Sequence, residues 1–247
     1  MKSSIIYFIG LVAVVVTIAS ACSTDPYNLG PVPPILTADD LSAEELAFHT
    51  NMMNLTIQVT KQYNTTVLFS ALIAHKNGSI LCTGINKQKD GLHLHSEMVA
   101  IMNCTDKLRA LGVKPNFSDY YLYSTGESCS MCTGAMSWTG FSKNIFASSN
   151  RHLYCEKCLG EQLLPSNLIA YANGWNQTSL RIIGGILSNY TDNQLFKSYC
   201  NNASSPYRVE PKCNADYSPT CKANSATSSV ASFGLVSLVA GVISLLI

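Results

Sequence analysis

The segment Tyr120–Ser148 reads YYLYSTGESCSMCTGAMSWTGFSKNIFAS. Tyr120–Ser124 has the aromatic, apolar character of a strand, Met131–Trp138 spaces its apolar residues as a helix does, and Asn144–Ser148 is strand-like again. Moving outward, the same alternation continues. From His95 the pattern is helical, with Val99, Met102 and Leu108 on related faces, Gly112 as a stop and Pro115 just beyond. Val67–Ala74 and Ser79–Thr83 flank a turn containing Asn77-Gly78, which predicts a β-hairpin. Before it, Ser42-Ala43-Glu44-Glu45 fits a capping box that opens a helix to about Tyr63, with Leu46, Met53 and Ile57 inward. Downstream, the pattern predicts a helix near Leu163–Asn173, a strand Leu180–Ile183 and a helix Asp192–Cys200. Strands alternating with helices of this length predict a three-layer α/β/α sandwich whose largely parallel sheet begins with one antiparallel hairpin.

The chain has 247 residues, 47% apolar and 13% charged, with 16 Lys+Arg against 15 Asp+Glu. Ordinary domains run near 25% charged. Part of the deficit lies at the ends, where Ile5–Ala19 and Phe233–Ile247 are apolar blocks without a charge, and these lift the mean hydropathy to +0.15. A near-zero net charge offers no electrostatic footprint for a nucleic-acid polymer, so none is expected as a partner. Lys2, the run to Ile18 and the small residues Ala19-Ser20-Ala21 form a secretory signal with cleavage expected after Ala21. At the other end small residues Asn224-Ser225-Ala226, a polar spacer and the apolar tail have the layout of a glycosylphosphatidylinositol (GPI) anchor signal, with Asn224 or Ser225 as attachment site. The expected organisation is therefore a signal peptide (1–21), a linker (22–40), a globular domain (41–203), an irregular Cys- and Pro-rich tether (204–223) and an anchor propeptide (224–247). The expected location is the outer leaflet of the plasma membrane. In a secreted chain the sequons at Asn54, Asn64, Asn77, Asn116, Asn176, Asn189 and Asn202 become glycosylation acceptors. A further sequon at Asn103 falls inside the predicted helix and is set aside.

Two short signals carry the chemistry: His95-Ser96-Glu97, and Cys129-Ser130-Met131-Cys132 one helix and one strand later. In an α/β unit of this kind both helices start at the same edge of the sheet, so an imidazole and two thiols can converge there as three ligands for zinc with one tetrahedral position open. An open position points to catalysis, because zinc lowers the pKa of bound water from 15.7 to roughly 7. Helix N-termini favour the thiolate forms that a metal needs. Glu97, two residues past the imidazole, is placed to carry protons.

An H-x-E followed by P-C-x-x-C is the signature of zinc nucleobase deaminases, and this sequence carries it with Ser128 in place of the Pro. The resemblance extends through Ala71-Leu72-Ile73, Gly78, Thr83-Gly84-Ile85-Asn86, His95–Ile101 and Thr125–Met136, with Ile183–Leu187 similar to a last strand and helix. Over about residues 41–200 the chain resembles the cytidine deaminase-like superfamily, in the branch of guanine, cytosine and tRNA adenosine deaminases. The resemblance implies a mixed five-stranded sheet between helices, zinc held by His95, Cys129 and Cys132, and Glu97 moving protons from water to a ring nitrogen and then to the amine that leaves as ammonia. It also implies Asn86 as a base-binding residue, a free nucleobase or nucleoside as substrate, and possible homodimers. An Asn after a strand is also ordinary turn chemistry. The sequence departs from the family at Ser128, where a Pro is usual, at Ser70, where Gly is usual and added bulk is expected beside the base, and at Gly91-Leu92-His93-Leu94. His93 reads as a solvated loop residue.

Eight further cysteines remain: Cys22, Cys82, Cys104, Cys155, Cys158, Cys200, Cys213 and Cys221. They allow 105 pairings, and Cys213 and Cys221 are expected to fasten the tether to the domain. A rival metal site would join Cys155 and Cys158 to Cys129 and Cys132 as a four-thiolate knuckle, leaving His95 and Glu97 as bystanders. A rival function is a catalytically silent, anchored surface glycoprotein that uses the fold for binding.

Overall fold

A computed structural model describes residues 31–63, 68–173 and 180–213. The signal segment, Cys22, Asn64, Asn176, Cys221, the attachment site at Asn224 and the apolar tail lie outside the described residues. Among the described residues no helix is long and apolar enough to cross a membrane.

The first helix, α1 (Ala43–Gln62), begins at the predicted capping box: the Glu45 backbone N–H donates to Ser42 Oγ at 3.2 Å. Its buried row is Met52, Met53, Thr56 and Ile57, with Leu46 only partly covered. Strands β1 (Ser70–His75) and β2 (Ile80–Ile85) form the hairpin, with Gly78 at φ +93° in its turn. Helix α2 (Ser96–Ala110) follows, then β3 (Tyr120–Gly126), α3 (Ser130–Thr139) and β4 (Lys143–Ser148). The chain continues through α4 (Asn150–Cys155), α5 (Ser166–Ala172), β5 (Arg181–Ile183) and α6 (Ser188–Tyr190), which runs into a π-turn over Thr191–Leu195.

The five strands lie in the order β2-β1-β3-β4-β5. The sheet is mixed, as expected, but less parallel than the alternation suggested. Strand β1 is antiparallel to both β2 and β3, and only the β3–β4 and β4–β5 pairs are parallel. The period-two alternation of each strand sorts side chains to two layers. Leu72, Ala74, Tyr123, Ile145 and Ile183 pack against α1. Ala71, Ile73, Leu122, Phe146 and Ile182 face the layer containing Ala100, Cys104 and Leu108 of α2 and Met136 of α3.

Three expectations along the chain need correction. The helix expected at Leu163–Asn173 starts only at Ser166, because Pro165 occupies its N-cap in an extended conformation. The helix expected at Asp192–Cys200 lies earlier and ends at Leu195; Leu195 and Phe196 turn into a small core with Leu153 and Leu159, and Cys200 is bonded to Cys158. The short helix α4 was not anticipated, although its Ser149 cap, accepting from His152 N at 3.1 Å, is an ordinary start signal.

Two features press α2 onto the sheet and so fix where it begins. A Cβ on Gly84 would collide with the Ser96 carbonyl and the Ala100 backbone nitrogen, so only glycine lets β2 run this close to the first turn of α2. The Cys82–Cys104 disulfide ties the same two elements.

Beneath α1, His49 is fully buried with Nδ1 2.8 Å from the hydroxyl of Tyr123. Burial, with Lys143 nearby, holds its pKa down at about 4. A folded-state value below the unfolded value of 6.5 means that the unfolded chain takes up a proton first, so stability is lost as pH falls from about 6.5 to about 4. Replacing His49 with Gln is expected to remove roughly 3 kcal/mol of that acid dependence. Urea melts at pH 7 and pH 4.5 measure it, and equal slopes for both proteins would contradict the assignment.

Candidate active site

His95 is the N-cap of α2 and Cys129 the N-cap of α3. Neither side chain caps its own helix, and each is directed to a common point at one edge of the sheet. His95 Nδ1 lies 3.6 Å from Cys129 Sγ, and Cys129 Sγ lies 3.6 Å from Cys132 Sγ. All three ligand atoms fall within 4.8 Å of one another. A tetrahedral zinc with bonds of about 2.3 Å to sulfur and about 2.0–2.1 Å to nitrogen has S–S and S–N edges of roughly 3.8 and 3.6 Å. The donor set therefore fits zinc in type and in spacing, and three protein ligands leave a fourth position to the cleft.

Redox state sorts the cysteines the same way. Cys129 and Cys132 are free and buried, whereas the other described cysteines, Cys82, Cys104, Cys155, Cys158, Cys200 and Cys213, are disulfide-bonded. This removes the rival knuckle, since Cys155 and Cys158 have no thiolate to offer a metal. Cys213 is disulfide-bonded, while Cys221 lies outside the described residues. His93 is exposed in its loop.

The electrostatics favour a cation. The hydrogen bond between the two sulfurs, with His95 on the other side, pulls Cys129 down to about 4 against the opposing effect of burial. That same bond, together with burial, pushes Cys132 up. His95 is raised by its bond to Cys129. Glu97, in the first turn of α2, is 5% exposed, and burial followed by the neighbouring Cys129 pushes its carboxyl up. Ser96 Oγ donates to Glu97 Oε2 at 3.0 Å.

His95, Glu97 and Cys129 line a cleft of about 720 Å³. Asn86 lines it too, but its side chain is occupied: Oδ1 accepts from Gln88 N at 2.9 Å and Nδ2 donates to Gln88 Oε1 at 3.0 Å. Sequence reasoning missed four contributors. Glu161 stands in the cleft with its carboxyl pushed up to about 7, first by burial and then by Glu97, with His95 opposing. Glu127 accepts from Asn150 N at 3.0 Å and from Ser166 N and Oγ at 2.8 Å each, so one buried carboxylate holds the starts of both α4 and α5 and thereby both ends of the segment that carries Glu161. Tyr207 and Val209, in the stretch expected to be tether, form a cleft wall: Val209 N donates to Cys158 O at 2.9 Å, Arg208 pairs with Leu159, and the Cys158–Cys200 disulfide closes the strap. Glu127 sits inside the motif around Cys129, which was a signal; Glu161 and Tyr207 had none.

The departures from the family pattern are absorbed locally. Ser70 was expected to crowd the base, yet its hydroxyl points to α1, donating to Thr56 O at 2.7 Å and pairing with Thr60 Oγ1. It lies on the same strand face as Leu72 and Ala74, away from the cleft. Ser128 is buried and accepts from Asn144 Nδ2 at 3.1 Å.

Residues 46–148 match the family described as the cytidine and deoxycytidylate deaminase zinc-binding region. A probable cytosine deaminase from Schizosaccharomyces pombe is 27% identical over 119 residues, which are 48% of this chain and 68% of that protein. The solved structure of the protein NE0047 in complex with 2,6-diaminopurine overlaps at TM-score 0.52 with 18% identity, covering 64% of this chain and 85% of that one, and so shares the fold. Residues 46–148, which hold His95, Glu97, Cys129 and Cys132, are thus similar to that zinc-binding region, and the mixed five-stranded sheet that carries them is the fold shared with the NE0047 protein.

Proposed function

We propose that the protein is a zinc-dependent hydrolase that deaminates a free nucleobase or nucleoside of the guanine or cytosine type, outside the cell and held to it by a lipid anchor. The observation that carries the chemistry is the free His95, Cys129 and Cys132 triad at tetrahedral spacing beside the buried Glu97, in a chain whose other described cysteines are bonded. His95, Cys129 and Cys132 would hold the zinc, which would supply an acidified water and a fixed positive charge to the reaction.

Glu97 takes one proton from the attacking water and delivers it to the ring nitrogen, then takes the second from the hydroxyl left on the ring carbon and delivers it to the amine, which departs as ammonia; the role suits a carboxyl whose proton affinity burial has raised. Glu161 accepts from ring N–H or amino groups, which guanine and cytosine both present. The rings of Phe69 and Tyr207 and the Val209 side chain supply apolar surface for a planar base. The likeness to a probable cytosine deaminase and to a protein that binds 2,6-diaminopurine supports this substrate class. Extracellular placement is supported by the two apolar ends, the disulfides, and the exposure of Asn54, Asn77, Asn116, Asn189 and Asn202, while Asn103 donates its amide to Thr83 O at 2.9 Å.

The full chain expressed on animal cells and offered guanine, cytosine, adenine and their nucleosides is expected to release ammonia from at least one base. Phosphatidylinositol-specific phospholipase C is expected to move that activity into the medium. Zinc-loaded protein that turns over none of them would overturn the enzymatic reading in favour of a binding glycoprotein, and activity that stays with the cells would overturn the anchor.

A further inference from the structure

His95 offers its Nδ1 to the two sulfurs and its other ring nitrogen to the loop that enters α2, where Nε2 lies 2.9 Å from the side-chain amide of Gln88. The direction of every bond in that loop is fixed by one backbone group. Gln88 N–H can only donate, and it donates to Asn86 Oδ1 at 2.9 Å. The remaining end of the Asn86 amide is therefore its nitrogen, a donor, and it meets Gln88 Oε1 at 3.0 Å. That leaves the Gln88 nitrogen facing His95, so Nε2 accepts and the ring proton sits on Nδ1, towards Cys129. A cation on Nδ1 displaces this proton, and a neutral imidazole then carries its single proton on Nε2. Two donors would face each other across the same contact.

We propose that Gln88 is a positioning residue for the metal centre, an amide relay that turns over when His95 Nδ1 takes a cation and in doing so releases Asn86 into the cleft. This rests on His95, Cys129 and Cys132 being a metal centre. Turning the Gln88 amide by half a revolution presents Oε1 to Nε2–H and supplies the outer hydrogen bond that orients a metal-ligating histidine. It also brings the Gln88 nitrogen against Asn86 Nδ2, so the two amides part. Asn86 already lines the cleft, and its amide becomes available to a base when the centre is filled. The relay reconciles two readings of Asn86, as turn residue and as substrate ligand, by assigning them to different states of the site.

The test is zinc affinity of the whole protein, read by competition with a colorimetric chelator, with the absorption of the cobalt-substituted protein reporting the coordination. Gln88→Met keeps the side chain's length without its hydrogen bonds and is expected to bind zinc 10- to 100-fold more weakly. Gln88→Glu, whose two oxygens accept from Nε2–H and from Asn86 without turning, is expected to bind within threefold of wild type or more tightly, with the cobalt spectrum unchanged. Asn86→Ala frees the Gln88 amide from its competing bond and is expected to tighten zinc binding about fivefold. A Met variant within threefold of wild type, or a Glu variant as weak as the Met variant, overturns the positioning role. Weaker binding by Asn86→Ala overturns the relay. A folded wild-type chain that takes up no zinc removes the centre itself, and the proposal with it.

Discussion

Glu97→Gln is expected to lower kcat by 10²- to 10⁴-fold while leaving one zinc per chain and an unchanged fold. The amide has the carboxyl's shape and can still accept from Ser96 Oγ, so packing in the first turn of α2 is kept. The substitution removes only the ability to take a proton and hand it on. Glu161, the other carboxyl of the cleft that is pushed up, is carried by the segment after Leu159 and not by the helix that carries His95. Burial makes Glu97 costly to keep charged, so the Gln protein is also expected to melt no lower than wild type. Steady-state ammonia release, zinc content and a thermal melt on the same preparation check the three parts together. A Gln protein within tenfold of wild type would show that protons travel by another route.

The second large effect falls on stability. Glu127→Ala removes the acceptor of three buried donors, Asn150 N, Ser166 N and Ser166 Oγ, and leaves the starts of two short helices unsatisfied. At about 1–3 kcal/mol for each buried unpaired donor, the loss is roughly 3–5 kcal/mol once neighbouring water takes up part of it. For a domain of this size that corresponds to a fall in Tm of about 10 °C. Glu127→Gln keeps one accepting oxygen and is expected to lie between the two. Because the segment between α4 and α5 carries Glu161, the Gln protein is also expected to raise KM more than it lowers kcat. A Tm for the Ala variant within 2 °C of wild type would show that the segment is held by its disulfide and strap alone.

What could be read from the sequence was whatever depends on near neighbours. The capping box at Ser42 and Glu45, the Asn77-Gly78 turn and the helix starts at His95 and Cys129 each have a local cause, and the α/β sandwich follows from their alternation, though the antiparallel pairing of β1 with β3 does not. That His95, Cys129 and Cys132 come together was legible for the same reason: His95 and Cys129 are helix N-caps, Cys132 lies in the first turn of α3, and helices that follow strands begin at one edge. Features set by distant partners were not legible. The π-turn after α6 ends at Leu195 because Leu195 and Phe196 have a core to enter beside Leu153 and because Cys200 is held by Cys158, neither of which periodicity reports. Ser70 looked like an obstruction to a base until its hydroxyl was seen bonded to α1. The wall at Tyr207 and Val209 comes from a stretch whose prolines and cysteines read as tether, and its pairing with Cys158 and Leu159 spans some fifty residues of chain.

Direct metal analysis bears on all of this at once. Protein purified without chelator, and its His95→Ala and Cys129→Ser variants, should be measured for zinc per chain and for free thiols after denaturation. One zinc per wild-type chain, two thiols protected from alkylation until the metal is stripped, and loss of zinc in both variants is the expected result. A wild-type chain without metal in which Cys129 and Cys132 are joined as a disulfide would contradict it.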